Sequence, residues 1–272
     1  MTTTNQVGAT VRRAAHSDTL ERLARMGFVA YGLTHLVVAW LALQIALGRA
    51  PADGDESGAF QLVAGQPFGL AVLWITVAGL AAMALWQLLE AMAGHRGEPG
   101  RERTIERVAS AIRVVLYGAF AYSAAKMALQ GKSSADAKQK TTTSALATTS
   151  GRAWVVVVGV LVLGVGIGLV IYGLIRRFEK HLKTAQIPAH QRKTVRWLGI
   201  AGYVAKGAAY TIAGGLLISA ALTYDPAKSR GLDAALHAIV GYPWGRTLLI
   251  LMALGIAAFG VFGLVQARYR KF

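Results

Sequence analysis

A chain of 272 residues that is 54% hydrophobic and 15% charged is too apolar for an ordinary soluble domain, where about 25% of residues are charged. Its 29 Lys and Arg against 13 Asp and Glu give a formal charge of +16, but the basic residues sit in short loops between apolar runs rather than along one face, which excludes a nucleic-acid binder. With no cysteine, disulfides, thiolate metal sites and cysteine nucleophiles are also excluded.

The chain opens with a polar segment, residues 1–19, whose first 16 residues are expected to be disordered. Asp18 and Glu21 have the spacing of a helix cap, which predicts a short helix running along the headgroups into the first span, with Leu20 and Leu23 toward lipid. A bilayer core requires about 20 apolar residues per helix. Runs of that length lie at about 26–47, 68–91, 109–130, 154–175, 197–222 and 246–267. The first exceeds the apolar region of a signal peptide, about 7–15 residues, and reads as an uncleaved anchor.

Each loop after an odd-numbered span holds a shorter apolar segment: Ala59 to Ala64, Ala145 to Ala147, and Leu232 to Val240. These are too short to span and are expected to lie in the interface as helical caps. Pro67 and Pro243 are expected in the first turn of the following helix, and Phe68, Trp154 and Trp244 at headgroup depth.

The first and last helix pairs are self-similar. Gly27-Phe-Val-Ala-Tyr-Gly32 matches Gly202-Tyr-Val-Ala-Lys-Gly207 at an offset of 175, and Gln66-Pro67-Phe68-Gly69 matches Tyr242-Pro243-Trp244-Gly245 at 176. The middle pair keeps Tyr117-Gly118, 86 residues after Tyr31-Gly32, and ends its outer loop at Ser150-Gly151-Arg152 without the proline. The units are 20–94, 95–183 and 184–272. Two spans per unit make the repeats parallel, related by an axis along the membrane normal. The expected fold is an all-α integral membrane bundle of six helices in three two-helix units.

The Gly27-Phe-Val-Ala-Tyr-Gly-Leu-Thr-His35 opening, the Pro-aromatic-Gly entries and the glycine-rich fourth span resemble the bacterial membrane proteins called domain of unknown function 1206, over about residues 20–270. The resemblance implies a six-span plasma membrane protein and no particular activity.

Glycines recur at helical spacing in spans four to six: Gly159, Gly164, Gly166, Gly168 and Gly173, then Gly255, Gly260 and Gly263. Helices in lipid associate by close packing, so such faces bring backbones together, and Gly164 and Gly168 are expected at a helix contact.

Orientation follows the positive-inside rule. Outside the spans, 18 Lys and Arg lie on the side that holds both termini and 8 on the other, so both termini are expected in the cytoplasm of a bacterial plasma membrane. The loop carrying Arg176, Arg177, Lys180, Arg192, Lys193 and Arg196 is the most basic, and these six residues are read as contacts to anionic headgroups. Docking of a membrane or cytoplasmic protein partner is the second reading of that loop.

Ionisable residues at membrane depth are functional candidates. Arg113 and Lys126 lie about one turn from opposite ends of span three and are expected to snorkel. Lys206 lies about 13 Å into span five, at the repeat position of Tyr31 and Tyr117, with His35 and Tyr210 matched one turn further out. Those five residues, Tyr31, His35, Tyr117, Lys206 and Tyr210, form a candidate axial polar site suited to an anionic group. The competing reading has Lys206 snorkelling or pairing with Glu90.

Ser123-Ala-Ala-Lys126 fits Ser-x-x-Lys, but its partner motifs are missing, and neither a His-Glu-x-x-His nor a Gly-x-Ser-x-Gly element is present. No residue is assigned to catalysis, metal binding or a cofactor, and the chain is expected not to be an enzyme. The expected function is a membrane scaffold or lipid-interacting accessory protein. The alternative is a small channel or transporter for an anionic or amphiphilic solute along the axis.

Overall fold

The computed structural model describes residues 18–49, 52–94, 100–131, 134–223, 225 and 232–271. Six long helices carry the six apolar runs: α1 (Asp18–Ala46), α3 (Gly69–Ala93), α4 (Gly100–Gln130), α6 (Thr149–Leu174), α7 (Ala189–Thr223) and α9 (Gly245–Tyr269). Three short helices fill the outer loops: α2 (Glu56–Ala64), α5 (Ser134–Leu146) and α8 (Leu232–Val240). Each long helix is long and apolar enough to cross a membrane. The 25 residues of α3 alone reach about 37 Å at 1.5 Å per residue, more than a hydrocarbon core of about 30 Å. Apolar residues line the outer surface, among them Leu33, Trp40, Val115, Leu161 and Leu251, as suits a lipid solvent.

Several boundaries differ from the sequence expectation. The first helix is unbroken from Asp18 to Ala46, so no separate headgroup helix precedes the span, and the expected disorder of residues 1–16 falls outside the described residues. Helix α4 begins at Gly100 and α7 at Ala189, carrying polar first turns beyond the apolar runs. An intrahelical ladder satisfies the backbone whether or not the flanking side chains are apolar.

Pro67 and Pro243 do not enter the first turns of α3 and α9; they lie in the turns before them. Glycine makes the entry instead. A Cβ at Gly69, Gly151 or Gly245 would collide with the carbonyl oxygen of Val63, Ala145 or Ile239, in each case six residues earlier. The same tight turn therefore seats the second helix of every unit, including the middle one that lacks the proline.

Consecutive units pack alike: α3 lies against α4, α6 against α7, and α9 against α1. Within units, α1 packs on α3 and α7 on α9, but α4 and α6 do not pack on each other. The six helices thus form a ring with one open seam. The middle unit, which the sequence sets apart by its missing proline, is the one split across it.

Close approach is concentrated where glycines face glycines or other small groups. Gly159, Gly166 and Gly173 on α6 meet Gly214, Gly207 and Tyr203 on α7, and Gly260 and Gly263 on α9 meet Gly32 on α1. Gly164 and Gly168 have open space where a Cβ would stand, so the helix contact expected there does not exist. The contact stripe repeats every seven residues, and both glycines lie off it.

The outer loops are tied to one another. Asp55 caps α2 through the N–H groups of Ser57 and Gly58, and the buried Asp233 carboxylate of α8 accepts from Gly54 N–H at 2.8 Å. At the opposite end, Arg25 donates to the carbonyls of Ala267 and Arg268, so the start of α1 and the end of α9 share one end of the bundle. Residues 181–183 pair with 269–271 around an isolated antiparallel bridge between Leu182 and Arg270.

Candidate functional site

The centre of the ring is polar and filled. Lys206 on α7 is 6% exposed and His35 on α1 3%. The Lys206 ammonium donates to the Tyr31 hydroxyl at 2.6 Å and to His35 Nε2 at 2.6 Å. His35 Nδ1 lies 2.8 Å from the Tyr31 carbonyl, which can only accept. Nδ1 therefore carries the ring proton, and Nε2 is left as an acceptor for the lysine. Rings enclose the amine: Phe259 at 4.4 Å, Tyr31 at 4.8 Å and Tyr210 at 5.5 Å. Tyr117 stands edge-on to Tyr31 with centroids 5.4 Å apart.

The structure thus brings together all five residues of the axial group, Tyr31, His35, Tyr117, Lys206 and Tyr210. Lys206 neither snorkels nor pairs with Glu90; its hydrogen bonds go to Tyr31 and His35. The acid whose field reaches it is Glu56, a buried residue of α2 that also faces Tyr210. Ser123, which is buried, and Lys126 of the Ser-x-x-Lys match make no hydrogen bond to each other.

Toward the end that holds the termini lies a second polar layer. Tyr203 packs on Tyr172, Phe178, Phe259 and Phe262, and Arg270 places its guanidinium 4.8 Å from the Phe28 ring and 5.0 Å from Trp86. Arg113 and Arg270 both lie in the field of Tyr117, Tyr172 and Tyr203, with Arg113 acting on Arg270 and Glu106 on Arg113. Arg113 itself is half-buried.

At this end the seam is laced by charge. Glu106 of α4 is ion-paired with Arg177 at 3.2 Å and lies 3.7 Å from His181, and Glu102 lies 3.6 Å from Lys180. Tyr172 Oη stands 3.1 Å from His181 Nδ1. Burial pushes the His181 imidazole below its ordinary value, against the opposing pull of Glu106.

The basic loop is also laced by contacts within the protein. Arg177 and Lys180 are engaged by Glu106 and Glu102, Arg196 by Glu179 at 2.8 Å, and Arg192 by the carbonyl of Ile187 at 3.0 Å. Arg176 and Lys193 remain outward and exposed. The acids that α4 and residues 177–181 bring to this loop share its charge, while Lys180, Arg192 and Arg196 stay exposed beside Arg176 and Lys193. The sequence reading missed Phe259, Tyr203, Glu106 and Arg270. Tyr203 stands 175 residues after Phe28 and was legible through the repeat; Arg270 looked like one more basic residue of a terminal run.

Among the described residues, no three His, Asp or Glu side chains converge as a metal site would require.

The family model of the Domain of Unknown Function (DUF1206) matches three stretches, residues 26–94, 108–176 and 201–270, one in each repeat unit. The chain is 25% identical over 259 residues to the uncharacterized protein YxxB of Bacillus subtilis (strain 168), covering 92% of this chain and 91% of that one. No solved structure matches it.

Proposed function

Because the chain belongs to the Domain of Unknown Function (DUF1206) family, which accounts for three stretches of one membrane protein, we propose that it is a non-enzymatic membrane scaffold or accessory protein that interacts with lipid. The observation that carries this reading is the filled centre. A permeation path along the axis would need water or solute between Tyr31, Lys206 and Phe259, and there the amine is held by two hydrogen bonds under three aromatic rings.

Two further features support an interaction with lipid. Between α1 and α3, beneath α2, an apolar cavity of about 220 Å³ is lined by Val29, Leu33, Phe60 and Val72 and suits an acyl chain. The end of the bundle that holds both termini carries most of the basic loops, which suits an anionic leaflet. The membrane is accordingly read as the bacterial plasma membrane, with both termini cytoplasmic.

Purification in mild detergent followed by lipid extraction tests the reading. Anionic phospholipid should be enriched on the protein relative to the membrane it came from. A retained lipid mixture of the same composition as that membrane would refute it.

A further inference from the structure

The centre uses its donors internally, but the layer beneath it does not. Arg270 is 6% exposed, and its Nε is buried without a hydrogen-bond partner. Among the described residues, neither the Arg113 and Arg270 guanidiniums nor the Tyr117 and Tyr203 hydroxyls make a hydrogen bond. Two guanidiniums and two hydroxyls thus share one region, the hydroxyls able to accept as well as donate yet bonded to neither guanidinium, and the charge of Arg113 acts on Arg270. Buried donors without acceptors are costly unless something else accepts from them.

Their placement is fixed by the fold. Arg270 follows the last turn of α9, where its backbone is bridged to Leu182, and its neighbours Tyr269 and Lys271 bond Lys183 and His181. Arg113 stands two turns above Glu106 on α4, at the wall of the open seam. Tyr172 of α6 faces Arg113 from the other wall. Below it the seam is closed by the Glu106–Arg177 and Glu102–Lys180 pairs; above it the bodies of α4 and α6 stand apart.

We propose that Arg113 and Arg270, with the Tyr117 and Tyr203 hydroxyls, form a phosphate site entered from the bilayer between α4 and α6, and that it holds the headgroup phosphate of a phospholipid. Guanidinium is suited to this role because its planar donors match phosphate oxygens. The single negative charge of a phosphodiester offsets one of the two cations, and its oxygens can accept from all four groups. The seam then accommodates the acyl chains against the outward surfaces of α4 and α6, where Val115, Leu161 and Ile171 are exposed. The proposal deepens the lipid-interacting reading and rests on it for the source of the phosphate.

The test is thermal melting of the full-length, delipidated protein in detergent with three additions: inorganic phosphate, phosphatidylglycerol, and diacylglycerol, which has chains but no phosphate. Phosphatidylglycerol should raise Tm by several degrees and diacylglycerol should not. Arg113→Gln and Arg270→Gln should each weaken phosphatidylglycerol binding by at least about tenfold, while Arg152→Gln at the other end of the bundle keeps it. If Arg270→Gln fails to fold, Arg113→Gln decides alone. An equal shift from inorganic phosphate, with the same dependence on Arg113, would uphold the site and refute its lipid source. An equal shift from diacylglycerol, or an undiminished response in Arg113→Gln, would overturn the site.

Discussion

Lys206 and Tyr31 occupy equivalent positions in the third and first repeat units, 175 residues apart, and their side chains meet at 2.6 Å. Equivalent positions of a cyclic repeat touch only where they face its axis, so the bond marks the centre of the bundle. Two of the three copies carry a tyrosine there; the lysine of the third turns an aromatic cluster into a donor and acceptor network through His35.

That network predicts an asymmetry between its members. His35→Ala deprives a buried amine of one of its two acceptors, whereas Lys206→Met leaves His35 tied to the Tyr31 carbonyl and fills similar volume. His35→Ala should cost about 3 kcal/mol and Lys206→Met clearly less, read as midpoints of unfolding in detergent. A greater loss in Lys206→Met would contradict the assignment of donor and acceptor.

Packing predicts a second contrast. Gly166→Leu places a side chain against the backbone of Thr211 and Gly207, where overpacking should cost about 1–3 kcal/mol or more. Gly164→Leu, with open space at its Cβ, should melt within a degree or two of the parent. Equal destabilisation by the two variants would show that α6 is rotated from the position described.

Stability should fall in mild acid through His181. Burial holds its folded value down, so the unfolded imidazole takes up a proton as pH falls through 6.5 while the folded one resists. Its contribution is complete above that value and is lost as pH falls below it. Melting curves between about pH 5 and 8 should show the loss, and His181→Gln should flatten it. An unchanged slope in the variant would assign the effect elsewhere.

Orientation has its own check. A reporter enzyme active only outside the cytoplasm should be silent when fused after Phe272 and active when inserted near Gly54. The reverse pattern would invert the protein in the membrane.

What could be read from the sequence was what repeats or what runs long. Twenty apolar residues have few soluble alternatives, and the offset of 175 aligned Tyr31 with Lys206 before their contact was known. Tyr117 followed from the second offset. Composition identifies glycine but not the face it occupies, which is why Gly164 and Gly168 were grouped with the true contact stripe of Gly159, Gly166 and Gly173. The seam was illegible for a related reason: whether α4 closes on α6 depends on packing between units, and no residue of the middle hairpin encodes that alone. Arg177 and Lys180 looked free because their acids, Glu106 and Glu102, lie more than 70 residues away along the chain.

The filled centre is tested most directly by anion flux in proteoliposomes. The account predicts that vesicles carrying the protein release a small anion no faster than protein-free vesicles, and that Lys206→Ala changes nothing. Flux well above the protein-free rate that is lost in Lys206→Ala would contradict it.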